Sequence, residues 1–174
     1  MMYGKWTGTK IFENRQQYDN WLLGRKSATF KELEDIKNGI TDVGIHYALE
    51  VVKRSDAGSP VAQIAPWYAG LIDDSSFTGL SNSDTMASHS GWIELTAYSE
   101  GSRQTLVYGA AASRAITASV SFTLSATKTI RGMLINSNNT KGGTTGSLWS
   151  TALYASPQTL QSGVVFTTNY SLTD

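Results

Sequence analysis

Asp73, Asp74, Asp84 and His89 fall close together in PWYAGLIDDSSFTGLSNSDTMASHSGWIELTAYSE, residues 66–100. Carboxylates beside an imidazole are the parts of a hydrolytic or cation-binding site: the carboxylates move protons or ligate a metal, and the imidazole serves as a base. The spacing argues for something plainer. Adjacent aspartates in extended chain point to opposite faces and do not converge on one ion. The calcium-loop pattern, alternating Asp/Asn followed by Gly and a distal Glu, is absent. DDSSFTGLSNSD is therefore expected to be a solvated loop whose Asp, Ser and Asn side chains tie off backbone N–H groups.

Other stretches carry weaker signals. Ser125-Ala-Thr-Lys128 matches the S-x-x-K pair of penicillin-recognising enzymes, which needs its two side chains one helical turn apart. Its flanks, VSFTLSATKTIRG, read instead as strand, turn, strand. TKGGTTG, Thr140 to Gly146, lacks the G-x-x-x-x-G-K-[ST] of a phosphate loop, and its glycines are expected to serve positive φ angles. NNT and NYS are formal glycosylation sequons that matter only on an exported chain. His46 is expected to be structural or on the surface. With no cysteine and two distant histidines, a nucleophile–base pair is hard to assemble. The expectation is no enzyme, no metal site and no cofactor. Trp67, Tyr68, Trp92, Tyr98, Trp149 and Tyr154 could form a sugar platform, but in strand-like segments such residues are expected in a core or a subunit interface.

The composition bounds the setting. The chain has 174 residues, with 14 basic and 14 acidic side chains. Neutrality argues against a direct nucleic-acid partner, which calls for a basic excess. No apolar run has the length of a signal peptide or a membrane span, so a soluble protein used without export, and no membrane partner, is expected. Residues 1–60 hold 9 basic and 8 acidic residues, against 5 and 6 in the longer remainder. The composition changes near RSDAGSP, residues 54–60, from charged and helix-prone to rich in Ser, Thr, Gly and aromatics.

The elements follow from periodicity. Residues 1–12 show none. ENRQQYDNWLL, Glu13 to Leu23, places Tyr18, Trp21 and Leu22 on one helical face, with Gly24 as a stop. SATFKELEDIKNG reads as a helix with a Thr29–Glu32 capping box and an Asn38-Gly39 stop. Residues 40–54 fit a helix or a strand; the helix is favoured, capped by Thr41 or Asp42. From residue 61 the period becomes two. VAQIAPWYAGLID, GWIELTAYS, RQTLVYGAAAS, RAITASVSFTLS, TIRGMLINS, SLWSTALYAS and GVVFTTNYSLT predict seven or eight short strands between turn-rich breaks. That predicts a mainly β fold, a β-sandwich of jelly-roll type with short helices. Two parts are expected: an N-terminal arm with short helices over residues 1–36, and a β-sandwich domain with a leading helix over 37–174.

The motifs WYAGLID, DTMASHSGWIELTAY with the Arg103 that follows, and TIRGMLINSNNTKGGTTGSLWSTALY resemble structural proteins of tailed bacteriophages, as does KNGITDVGIHYALEVV before them. The likeness covers about residues 37–174. It implies a β-sandwich or jelly-roll subunit of the virion, of the capsid cement or decoration type, without catalysis. The implied partners are the major capsid protein and copies of the chain itself, as a trimer. On that view Trp6, Ile11, Phe12, Tyr18 and Trp21 of the arm are the partner-binding residues, and removing residues 1–36 should leave the β body folded. A tail- or baseplate-associated adaptor, or a carbohydrate-binding module, is the alternative.

Overall fold

The computed structural model describes residues 3–25, 28, 30–53, 66–110 and 115–173. The RSDAGSP boundary, the VAQIA stretch before Pro66 and the Thr29 cap lie outside the described residues. The fold is mainly β. In chain order the elements are β1 (Tyr3–Phe12), α1 (Arg15–Leu22), β2 (Lys31–Glu32), β3 (Ile36–Ile40), α2 (Asp42–Lys53), β4 (Trp67–Asp73), β5 (Ile93–Leu95), β6 (Gln104–Leu106), β7 (Ala115–Thr123), β8 (Lys128–Asn136), β9 (Leu148–Leu160) and β10 (Val165–Thr173). Each of the seven segments read as strands from residue 61 onward contains one.

Two antiparallel sheets face each other as a β-sandwich. One runs β7-β10-β1, with β2 beside β1; the other runs β9-β8-β4, with β5 and β6 end to end along the far side of β4. Strand β3 belongs to both. Its residues 36–38 pair with Trp6, Lys5 and Gly4 of β1, and Gly39 and Ile40 pair with Thr151 and Ser150 of β9. The opposite side is joined too. Tyr98 bridges to Leu124, Tyr108 bridges to Ala118, and Gly109 N–H donates to the Thr117 carbonyl at 3.0 Å, so the β6 segment links β4 to β7.

Between the sheets lies the main core. It takes Ala118, Val120, Phe122 and Leu124 from β7 and its end, Phe166 and Tyr170 from β10, Ala69 and Leu71 from β4, Ile130, Met133 and Ile135 from β8, and Trp149, Ala152 and Tyr154 from β9. The period-two alternation of β7 and β10 delivers these side chains to one face. A second cluster, Ile72, Met86, Trp92, Leu134 and Leu148 with Phe77 and Leu80 against it, is formed where residues 74–92 fold over the outer face of β4-β8-β9.

The structure corrects the two-part division. Residues 3–12 are not an arm but a strand between β3 and β10, with eight of them in register from Tyr3↔Thr173 to Phe12↔Val165. The register slips between Thr7 and Lys10, where Gly8 takes φ +56°. This is a β-bulge, and one extra residue reverses which side chains face inward. Trp6 and Ile11 therefore both enter the core, while Phe12 turns outward under α1. Removing residues 1–36 would delete a strand of the sandwich and part of β3. The helix expected around Phe30–Lys37 is also overturned: β2 and β3 stand there, because Lys31 and Glu32 pair with β1 and Ile36–Asn38 continue that edge.

The helices at 15–22 and 42–53 form as expected. Asn14 Oδ1 accepts from Gln17 N–H at 3.0 Å, and Gly24 at φ +66° ends α1. Thr41 caps α2 by accepting from Gly44 N–H at 3.1 Å while its own hydroxyl donates to the Leu148 carbonyl. Tyr47 then stacks edge-on against Trp67 at 5.4 Å, so α2 packs onto the core through its aromatic face.

Gly132 lies where β8 slips register against β9, and a Cβ there would collide with the Ala152 carbonyl oxygen. Gly132→Ala should lower unfolding stability by about 3 kcal/mol, read from the denaturant midpoint. Three tyrosines make a second expectation. Burial raises the phenol pKa of Tyr98, Tyr108 and Tyr154; the Glu94 charge adds to the rise at Tyr98, and Thr9 and Thr168 oppose it at Tyr154. The folded chain thus holds these protons more tightly than the unfolded one. Stability is unaffected below about pH 10, the ordinary tyrosine value, and falls above it by up to roughly 4 kcal/mol per pH unit if all three ionise on unfolding. Tyrosinate absorbance should rise in step with loss of circular dichroism.

Candidate functional site

The segment with most of the polar candidates is a built loop. Asp84 closes it: one carboxylate oxygen accepts from Trp92 Nε1–H at 2.9 Å and from Ser81 N–H at 3.0 Å. That places Trp92 over the second cluster. His89 stacks on the Trp92 ring, with centroids 4.0 Å apart and planes at 23°, and its Nδ1 lies 3.0 Å from the Thr85 carbonyl. Asp73 caps the turn after β4 by accepting from Ser75 N–H at 2.8 Å, and Lys128 Nζ sits 3.4 Å from its other oxygen. Asp74 faces Arg131 at 3.8 Å, and that guanidinium covers the Phe77 ring. Each aspartate has a separate structural partner. Among the described residues, no group of three or more His, Asp or Glu side chains is placed to hold a metal ion.

The other expected motifs are placed as plainly. Ser125 stands in the β7–β8 turn and Lys128 begins β8, so the pair is on no helix. Gly142 and Gly146 take φ +73° and +101° in the loop between β8 and β9. His46 is exposed on α2.

The strongest electrostatic feature joins two residues, Glu94 and Arg103, that the quoted motifs contain but to which no role was assigned from the sequence. Arg103 and Glu94 are buried and paired twice, Nε to Oε1 at 3.0 Å and Nη2 to Oε2 at 2.7 Å. Arg103 also donates to the Asn138 and Gly143 carbonyls, each at 2.7 Å, and Glu94 accepts from Gly142 N–H at 2.9 Å. Beside it, Lys141 Nζ donates to the carbonyls of Tyr98 and Glu100 and lies 4.2 Å from the Tyr98 ring centre. The TKGGTTG loop is thereby fixed to the β5–β6 connection. Gly70 leaves the space: a Cβ there would stand 2.8 Å from Glu94 Oε1. The residue types were visible, but a pair nine residues apart in an irregular segment has no periodic signal to mark it.

The aromatic residues weighed as a sugar platform go to the interior. Trp92, Tyr98, Trp149 and Tyr154 are buried, and Trp67 and Tyr68 are half-buried. Of the five arm residues, Trp6, Ile11 and Phe12 are buried in the chain's own body. Tyr18 is half-buried against Phe12, with its hydroxyl 3.2 Å from Ser121 Oγ. Trp21 remains 36 % exposed on α1, next to Leu22 at 57 % and Leu23 at 67 %; Phe30 also rests on Phe12. These outer residues and the groove beneath α1 form the candidate surface. No helix among the described residues is long and apolar enough to cross a membrane.

Glu94→Gln leaves Arg103 buried without its counter-charge. It should cost about 3–5 kcal/mol of stability and speed hydrogen exchange in residues 138–146, measured by mass spectrometry. No family model matches the chain, and no curated protein matches it.

Proposed function

We propose that this chain is a non-enzymatic structural protein of a tailed-bacteriophage virion, a cement or decoration subunit that binds the major capsid protein and copies of itself. The observation that carries the reading is the use made of the polar residues in the phage-like motifs. In DTMASHSGWIELT and TKGGTTG, Asp84, His89, Glu94 and the Arg103 beyond them hold loops onto the sandwich. Ties of that kind support a rigid body that presents surfaces rather than one that turns over a substrate.

The surface best suited to the partner is the exposed tip of α1. Leu22 and Leu23 stand out at the end of a helix whose Tyr18 packs on the buried Phe12. Apolar anchors on a rigid base give up little entropy on binding. A trimer at local three-fold positions follows from the resemblance and would repeat this contact. Many weak contacts acting together resist internal pressure through multivalency.

Sedimentation with mature capsids that lack the protein tests this reading. The expected result is saturable attachment at a fixed ratio to the capsid protein and a gain in heat resistance of the shell. Leu23→Glu, at an exposed site, should weaken attachment about tenfold, the factor given by 1.4 kcal/mol, without changing the melting temperature. No attachment to the shell would overturn the cement reading and point to the tail or baseplate.

A further inference from the structure

We infer that the groove between α1 and the outer face of β7-β10-β1 binds a neutral oligosaccharide. The cavity is about 410 Å³, within the range of roughly 300–1,000 Å³ usual for small-molecule sites. One wall is aromatic, made by Tyr18 and Trp21 of α1; the Arg15 guanidinium covers the Tyr18 ring at 4.8 Å and the Lys10 ammonium lies 5.9 Å from the Trp21 ring centre, so the 36 % of Trp21 left exposed is the part open to a ligand. The floor is polar, made by Ser119 and Ser121 of β7 and Thr167 and Asn169 of β10. An aromatic wall takes the C–H face of a sugar ring, and a floor of hydroxyls and amides takes its hydroxyls.

The floor is oriented before any ligand arrives. Ser121 pairs in register with Thr167, and Ser119 with Asn169. Thr167 Oγ1 gives its proton to the Val120 carbonyl at 3.0 Å. Ser121 must then be the donor in its 2.7 Å bond to Thr167, and Tyr18 the donor in its bond to Ser121, since each hydroxyl has one proton. The three hydroxyls form one connected chain along the floor, from Tyr18 to Ser121 to Thr167. Ser119 donates to Asn169 Oδ1, and the Asn169 NH₂ has no partner among the described residues. The groove thus offers hydroxyl oxygens and an amide side by side, the pattern that sugar hydroxyls, which both give and accept, can complete.

Its charges indicate a neutral ligand. Arg15 is paired with Asp19 at 2.9 Å, Lys10 with Glu32 at 2.9 Å, and both oxygens of Glu100 accept from Thr123 N–H at 3.1 Å. Each cation of the lining is matched by a carboxylate, so the groove carries no net positive charge to draw an anion.

A microarray of neutral and acidic glycans, followed by titration with the neutral disaccharides maltose, cellobiose, lactose and N,N′-diacetylchitobiose and with heparin, tests the inference on the full chain. At least one neutral saccharide should bind and change tryptophan emission through Trp21, the most exposed tryptophan. Ser119→Arg fills the groove from an exposed strand position and should weaken binding about tenfold or more. Trp21→Ala should do the same, and Trp21→Phe should retain most of it. Leu23→Glu should leave it unchanged, which separates this site from the capsid contact. The inference is overturned if no neutral saccharide binds, if Ser119→Arg binds as well as the parent, or if heparin alone binds. It is equally overturned if Ser119→Arg weakens capsid attachment while no saccharide binds, which would identify the groove as a protein contact.

Discussion

The sandwich depends on a strand of five residues. Ile36–Ile40 spends its first three residues on β1 and its last two on β9, and so it hands the chain from one sheet to the other. Without it each sheet would present an open edge on that side, with unpaired N–H and C=O groups available to any other chain. The segment 98–109 does the same on the opposite side through Tyr98, Tyr108 and Gly109. With both sides joined, the inner faces are held at one spacing, and Phe122, Phe166, Met133 and Tyr154 can fill it. The outer faces then need cover only where they are apolar. Residues 74–92 supply it over Ile72 and Leu134, and α1 supplies it over Phe12.

This arrangement explains why a chain so rich in polar loop residues looks at first like a chemical site. Loops laid across a sheet carry backbone groups that must be satisfied away from water. Asp84, Asp73, Glu94 and Arg103 meet that need, each bonding one or more main-chain groups. The Arg103–Glu94 pair costs desolvation that its own attraction only partly returns, and the surrounding carbonyls and Gly142 N–H complete the balance. Its gain is a single loop geometry.

The sequence made the second half of the fold legible because β7 and β10 alternate and β8 and β9 carry short apolar runs between turn-rich breaks. It hid the first half for a physical reason. The bulge at Gly8 puts Trp6 and Ile11 on the same face although their spacing is odd, so period two vanishes just where a strand exists. Lys31–Ile40 misled in the opposite way, since Phe30, Leu33 and Ile36 have helical spacing and only pairing with β1 decides the outcome. The ambiguity at 40–54 was resolved by Thr41, whose cap locks onto the β9 backbone. The groove beneath α1 could not be read at all, because its floor comes from strands nearly fifty residues apart. The exposed apolar residues of α1 were readable as a face, but which of Tyr18, Trp21 and Leu22 meets solvent depends on where Phe12 lies.

The pairing of β1 with β10 also sets an order of events during synthesis. Tyr3 meets Thr173, so the loop closed by this pair contains every other element of the sandwich. Until residues 165–173 leave the ribosome, β1 is paired only along the edge it shares with β2 and β3, and Trp6 lacks the Tyr170 ring it packs on. Folding is therefore completed late and, by its high contact order, slowly. During that interval the vacant edge of β1 is open to an equivalent β10 from a neighbouring nascent copy, so strand exchange between copies is the misassembly this topology exposes the chain to.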